Sequence, residues 1–180
     1  MTSDLRPRRS VLYMPAANER ALEKAKTIAA DAIIFDLEDA VAPDAKEAAR
    51  ANACAAASSG EYGSRELTIR CNGLDTPWGI DDLAATAQTP ASAVVIPKVG
   101  SVDYLDQVSA RLDAAGAHAD MRIWAMIETP TAVFDVRAIA GTANDLYIGG
   151  IFTNAGGVTA SNIAHWDGSA WSALGSGVNG

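Results

Sequence analysis

Apolar and polar positions along this chain fall into blocks that repeat with a regular beat. Short apolar runs, suited to strands buried on both faces, are each followed by a stretch with apolar residues at helical spacing. Residues 10–15 (SVLYMP) read as a first strand, and residues 18–30 follow with Ala21, Leu22, Ala25, Ile28 and Ala29 on one helical face. The second strand is 33–39 (IIFDLED); Pro43 and Asp44 then open an Ala-rich helix to about Ala57, which Ser58 to Gly60 close. Residues 66–71 (ELTIRC) form a third strand ending in the turn residues Asn72 and Gly73, and Pro77 and Trp78 start a short helix around Ile80, Leu83 and Ala84. A fourth strand at 93–96 (AVVI) ends at Pro97 and Lys98 and is followed by a helix over 102–115, stopped by Gly116. A fifth at 121–127 (MRIWAMI) ends at Glu128, Thr129 and Pro130 before another helix to about Ala140.

Five strand-then-helix units in series predict an α/β protein with a parallel sheet. Tyr13, Asp36 with Glu38, Arg70, Lys98 and Glu128 all fall at strand ends. In a (β/α) barrel these ends share one mouth, where such enzymes keep their chemistry. An open doubly wound sheet would carry a Gly-rich first turn, and here that turn is PAANER. The expected fold is therefore part of a (β/α) TIM-type barrel of about five βα units. A length of 180 residues with 49% hydrophobic content suits one sizeable core with an appendage. The formal net charge of −8 speaks against nucleic acid as the main partner. The apolar runs are strand-sized and the charged start MTSDLRPRRS precedes no apolar core, so neither a membrane span nor a signal peptide is expected. Cys54 and Cys71 have no metal-ligand spacing, which suits a reducing, cytoplasmic setting.

Candidate chemistry begins at the second strand, which delivers Asp36, Glu38 and Asp39 together. Carboxylates this close suit a divalent-metal neighbourhood; the alternative is one helix cap with two solvated neighbours. Arg70 ends its strand just before a turn and can grip a carboxylate or enolate oxygen with two parallel hydrogen bonds, or it can form a surface ion pair. Glu128 stands beside Thr129 and Pro130, where a helix N-terminal carboxylate would also stand. Lys98 can face the mouth or the solvent. Cys71 reads as strand packing, and neither His118 nor His165 has a partner that suggests catalysis.

RRSVLYMPAANERALEKA (8–25), IIFDLEDAVAPDAK (33–46), IRCNGLDTPWG (69–79), VVIPKVGS (94–101) and IWAMIETP (123–130) resemble, in this order, the citrate lyase beta-subunit-like CoA-ester lyases. These belong to the HpcH/HpaI aldolase and citrate lyase superfamily, and the resemblance covers roughly residues 8–140. It implies a (β/α) barrel that binds Mg²⁺ and a CoA thioester and makes or breaks a carbon–carbon bond, as with citramalyl-CoA or malyl-CoA. Under it, Glu128 matches the metal ligand and Arg70 the substrate-binding arginine, a catalytic residue. Tyr13 matches an aromatic residue touching the substrate, and Lys24 a lysine holding the acyl-CoA. Asn18 replaces an arginine common among relatives. The Asp36 to Asp39 cluster becomes an outer shell that orients metal-bound water, with Glu38 as its catalytic member.

The resemblance stops near residue 140, and a domain boundary is expected at 143/144. The following GTANDLYIGG contains Asp145, only seventeen residues beyond Glu128, whereas earlier strand ends recur every 24 residues or more. A helix and a new buried strand do not fit that interval, so Asp145 is not assigned to the metal. Beyond Leu146, Asp167 is the only formally charged side chain left. Residues 146–152 (LYIGGIF), 162–166 (NIAHW) and 169–174 (SAWSAL) read as strands, with Asp167-Gly168 as a hairpin turn and Trp166 and Trp171 as packing residues. Segment 144–180 resembles one repeat of β-propeller-like bacterial surface proteins and predicts a short antiparallel ribbon. The functional expectation is a Mg²⁺-dependent lyase on a hydroxyacyl-CoA, impaired by truncation. Two alternatives stand: a non-catalytic chimeric or truncated chain serving as a binding module, and a pyruvate-type class II aldolase of the same superfamily. An open sheet edge predicts a homo-oligomer or self-association.

Overall fold

The computed structural model describes residues 8–141, 146–149, 153–161, 163–166 and 169–173. Five strands, β1 (Val11–Pro15), β2 (Ala32–Asp36), β3 (Glu66–Arg70), β4 (Ala93–Ile96) and β5 (Arg122–Ala125), form one sheet in the order of the chain. Every neighbouring pair is parallel. A parallel neighbour requires a crossover, and α1 (Glu19–Ala25), α2 (Lys46–Ser58), α3 (Gly79–Ala87) and α4 (Val102–Ala114) supply the four. The spatial order never reverses, so there is no switch point of the doubly wound kind; right-handed crossovers then put all four helices on one side of an arc. This is the winding expected of a barrel segment. A fifth helix, α5 (Pro130–Gly141), follows β5.

Register assigns the two faces. Pro15, Asp36, Arg70, Val95 and Trp124 lie level across the sheet, and strand alternation puts Tyr13, Ile34 and Thr68 on the same face. The opposite face carries Ile33, Phe35, Ile69, Val94 and Ile96, which join Leu22, Ala49, Ala53, Leu83, Val108 and Leu112 in the main core. Alanines at 49, 53 and 57 form a buried stripe on α2 and allow close approach to the sheet. Tyr62 closes this core, with its ring edge-on to Phe35 at 5.2 Å and its hydroxyl donating to the Leu22 carbonyl.

Boundaries move in places. α1 ends at Ala25, not near residue 30, because the Thr27 hydroxyl bonds back to the Lys24 carbonyl and Ile28 and Ala30 pack on the core as the chain turns into β2. β2 leaves the sheet at Asp36, so Glu38 and Asp39 belong to a loop, and β5 spans four residues. A 3₁₀ turn, Pro43–Ala45, precedes α2.

Beyond α5 an antiparallel sheet of order β10-β9-β6 forms from β6 (Leu146–Gly149), β9 (Ile163–Trp166) and β10 (Trp171–Ala173). A ribbon of β7 (Asn154–Ala155) and β8 (Val158–Thr159) accompanies it, turning through Gly156 and Gly157, both at positive φ. Trp171 packs on Ala155, Ala160 and Ala164 as expected. Asp145, the Asp167-Gly168 turn and the Trp166 side chain lie outside the described residues. No helix among the described residues is long and apolar enough to cross a membrane.

Candidate active site at the strand ends

The site begins with a buried pair. Arg70, at the end of β3, turns its fork onto Asp36, the level residue of β2: Nε and Nη2 reach Oδ1 and Oδ2, both at 2.6 Å. The Asp36 carboxylate also accepts the backbone N–H of Glu38 at 2.9 Å and of Ala40 at 3.3 Å, and so folds the loop after β2. Side-chain exposures of 1% for Asp36 and 9% for Arg70 make this a buried pair. Burial works against the Arg70 charge and Asp36 more than offsets it, holding the guanidinium above its ordinary value. The two-pronged grip expected for a substrate oxygen is thus made on Asp36. What remains for a ligand is Nη1, which lies 2.9 Å from Glu38 Oε2 and 4.0 Å from the Met126 sulfur.

Tyr13 lies under this arginine, its ring 4.9 Å from the guanidinium carbon. Burial raises its phenol above the ordinary value despite the nearby Arg70 charge, so the hydroxyl stays a donor at neutral pH. That hydroxyl points to the Met126 sulfur at 3.7 Å. Two good donors therefore converge on a thioether, which is a poor acceptor.

Lys98 faces the mouth. Its Nζ donates to Glu38 Oε1 at 2.7 Å, a bond that holds the ammonium above its ordinary value. Its backbone N–H donates to Glu128 Oε1 at 2.8 Å. Glu38, buried at 6% exposure, is thus clasped between two cations. Glu128 is exposed, and its second oxygen has no hydrogen-bond partner among the described residues. Asp39 is exposed and 4.0 Å from Lys98.

Behind the loop stands Lys46, buried at the start of α2. Its Nζ donates to the carbonyls of Leu37 and Glu38, both at 2.7 Å, and to Asn72 Oδ1 at 2.8 Å. Asn72 Nδ2 continues to Asp82 Oδ2 at 2.6 Å, and Arg50 holds the other Asp82 oxygen at 2.7 Å. This strut fixes the backbone that presents Glu38. It was readable in part: Lys46 falls on the same helical stripe as Ala49, Ala53 and Ala57, an odd place for a lysine that faces solvent. Met126 carried no such signal.

Tyr13, Glu38, Arg70 and Glu128 are thus brought together, and Lys24 is not. Lys24 is exposed in the last turn of α1 and shares none of these contacts. Asn18 caps α1, its Oδ1 accepting the Ala21 N–H at 3.1 Å, which accounts for a short polar residue there. Beside it, an open depression is lined by Pro15, Ala17, Asn18, Glu19, Arg20 and Ala40. Cys71 is fully buried and its thiol is pushed far up by burial, as a packing residue requires. His118 bonds the Ala91 carbonyl at 3.0 Å.

No three His, Cys, Asp or Glu side chains among the described residues group as a metal cage. Glu128 can still offer one open carboxylate oxygen. Mg²⁺ commonly binds through one or two carboxylates and completes its shell with water and substrate oxygens, so this donor fits that ion.

The HpcH/HpaI aldolase/citrate lyase family model matches residues 9–161, and the chain belongs to that family. A (3S)-malyl-CoA thioesterase of Cereibacter sphaeroides is 46% identical over 140 residues, covering 78% of this chain and 47% of the relative. An L-malyl-CoA/beta-methylmalyl-CoA lyase of the same species is 38% identical over 147 residues, covering 77% of this chain and 46% of the relative. Among solved structures, protein CitE from Mycobacterium tuberculosis in complex with magnesium, acetoacetate and coenzyme A superposes with a TM-score of 0.61 at 28% identity, over 77% of this chain and 47% of that one. RipC from Yersinia pestis gives 0.56 at 33% identity, over 75% and 53%. The chain thus spans about half the length of the curated relatives it matches. The family match runs past the expected boundary at 143/144 through β6, β7 and β8, and these matches give no support to the propeller-like reading of the tail.

Proposed function

We propose that this chain is part of a Mg²⁺-dependent carbon–carbon lyase that cleaves a hydroxyacyl-CoA of the malyl-CoA or citramalyl-CoA type. The observation that carries the reading is the convergence of Tyr13, Arg70, Glu38, Lys98 and Glu128 on the ends of parallel strands in a chain of this family. Glu128 would hold the metal, which would supply polarisation of the hydroxy-acid oxygens during retro-aldol cleavage. Arg70 Nη1 and the Tyr13 hydroxyl bind a substrate oxygen once Met126 turns aside. Glu38, clasped by two cations, orients the water and hydroxyl beside Glu128. The acyl-CoA lies across the mouth; Lys24, on the outer face of α1, reaches at most its distal part. The cytoplasm suits the two free thiols, Cys54 and Cys71. The tail is a separate small unit beginning near 144, in keeping with its own cluster around Ala164.

The test offers malyl-CoA and citramalyl-CoA to this chain and to a version continued with a relative's remaining barrel. Cleavage of malyl-CoA yields acetyl-CoA and glyoxylate. Hydrolysis of its thioester yields malate and free CoA, the second reading, which the higher identity to a thioesterase favours. We expect weak acyl-CoA binding and negligible turnover from the 180-residue chain alone, because no three metal-ligating side chains group together among the described residues. The continued version should release acetyl-CoA in a reaction that EDTA stops and Arg70→Ala removes. EDTA-resistant release, or full activity in Arg70→Ala, overturns the proposal.

A further inference from the structure

Among the described residues, Lys98 is the one residue other than glycine with positive φ, at +51°. The left-handed region is disfavoured for any residue with a Cβ, and such strain persists where the surroundings over-determine it. Here the surroundings are two carboxylates. The last β4–β5 ladder bond beyond the strands runs from Met126 N–H to the Ile96 carbonyl at 2.9 Å. Two residues later the chain turns left-handed, and the Lys98 N–H meets the side chain of Glu128 while its ammonium meets Glu38. Glu38 lies beyond β2 and Glu128 beyond β5, with β3 and β4 between them. A single residue thus spans the mouth.

We infer that Lys98 is a positioning residue that sets Glu128 relative to Glu38, its backbone holding the first and its ammonium the second. The inference rests on the reading of Glu128 as the metal-facing carboxylate. Its content is geometric: the left-handed turn keeps one Glu128 oxygen on the N–H and leaves the other for the ion, and the same turn brings the ammonium over Glu38.

Lys98→Gly and Lys98→Val remove the same charge and differ in backbone. Glycine adopts the left-handed turn freely, while β-branched valine is badly suited to it. In the full chain, Mn²⁺ binding followed by electron paramagnetic resonance should be about tenfold weaker in the valine variant than in the glycine variant, the scale on which supporting contacts act at metal sites. A second readout needs no metal. The amide of residue 98 should be protected from hydrogen exchange in the native chain and in Lys98→Gly, and should exchange roughly tenfold faster in Glu128→Ala and in Lys98→Val. Equal exchange in native and Glu128→Ala protein overturns the inference, whatever Mn²⁺ does. Equal Mn²⁺ affinity of the two Lys98 variants, when Glu128→Gln abolishes binding, also overturns it. Lost protection in Glu128→Ala, with Mn²⁺ binding indifferent to Glu128→Gln, supports the positioning role and rejects the metal reading alone.

Discussion

At the scale of single residues, the strand-end site is a charge ledger that nearly closes. Asp36 and Glu38 face Arg70 and Lys98, which leaves Glu128 and the exposed Asp39 as the carboxylates with an open oxygen. Removing one member of a buried pair strands the other in a medium that solvates it poorly. Such losses cost about 3–5 kcal/mol, and Asp36→Ala should fall near the lower figure because Glu38 remains beside Arg70. Urea unfolding measures it, and Asp36→Ala combined with Arg70→Met should cost clearly less than the two singles added. A smaller effect belongs to Asp31, whose carboxyl is held below its ordinary range first by the Arg9 guanidinium and further by backbone N–H groups of Arg9 and Ser10. A depressed carboxyl stabilises the fold above its unfolded pKa of roughly 4 and loses that contribution as pH falls through the folded value. Arg9→Ala should therefore flatten the acid side of a plot of melting temperature against pH by slightly lowering its neutral region, while leaving the strongly acid end nearly unchanged. Glu38, Arg70 and Glu128 stand out in the sequence as polar residues at strand ends, whereas the roles expected of them and of Tyr13 came from the family resemblance. Their partners do not stand out: nothing local indicates that Arg70 turns its fork inward to Asp36, thirty-four residues away in sequence, or that Met126 occupies the donors' common ground.

At the scale of elements, a close backbone approach lies where α3 begins. Gly79 packs against the Gly73 carbonyl so tightly that an added Cβ would overlap backbone atoms. Alanine in a helix is favoured over glycine by about 1 kcal/mol, whereas overpacking against an immobile neighbour costs about 1–3 kcal/mol. The second term wins. Gly79→Ala should destabilise, and because the Asn72 to Gly73 turn carries the Lys46 strut, it should also loosen the loop that holds Glu38. Hydrogen exchange at the Glu38 amide, bonded to Asp36, reports this; unchanged exchange with unchanged stability would refute it. The same region shows what a sequence can and cannot convey. The strand cores were plain, since Ala32 to Phe35 and Ala93 to Ile96 are apolar throughout and bounded by turn residues. Nothing in the sequence marks Gly79, because a contact between two glycines six positions apart leaves no hydrophobic pattern. α1 was over-long in the sequence reading for a related reason: the apolar period continues through Ile28, but there it serves a turn that packs on the core.

At the scale of the whole molecule, the parallel sheet ends on two strands that have one neighbour each among the described residues, β1 and β5. Val11 and Tyr13 on β1 are 39% and 42% exposed, and next to β5 the helix α5 presents Val133 at 60% and Phe134 at 87%. Unpaired edge groups and an exposed aromatic ring favour association with another chain. The magnitudes decide how strongly. Full burial of one such side chain contributes about 1.5–3 kcal/mol, so two copies each burying Phe134 and Val133 gain at most roughly 12 kcal/mol. Loss of translational and rotational freedom costs about 4–15 kcal/mol, which leaves little surplus. We therefore propose weak, concentration-dependent self-association of this chain. Light scattering should show the apparent mass rising with protein concentration and returning toward the monomer on dilution. Phe134→Asp should shift that rise to higher concentration with almost no change in melting temperature, because the ring contributes little to its own core at this exposure. A clean monomer at high concentration, or a mass that ignores Phe134→Asp and Val133→Lys together, would mean that the edges of this sheet are already protected.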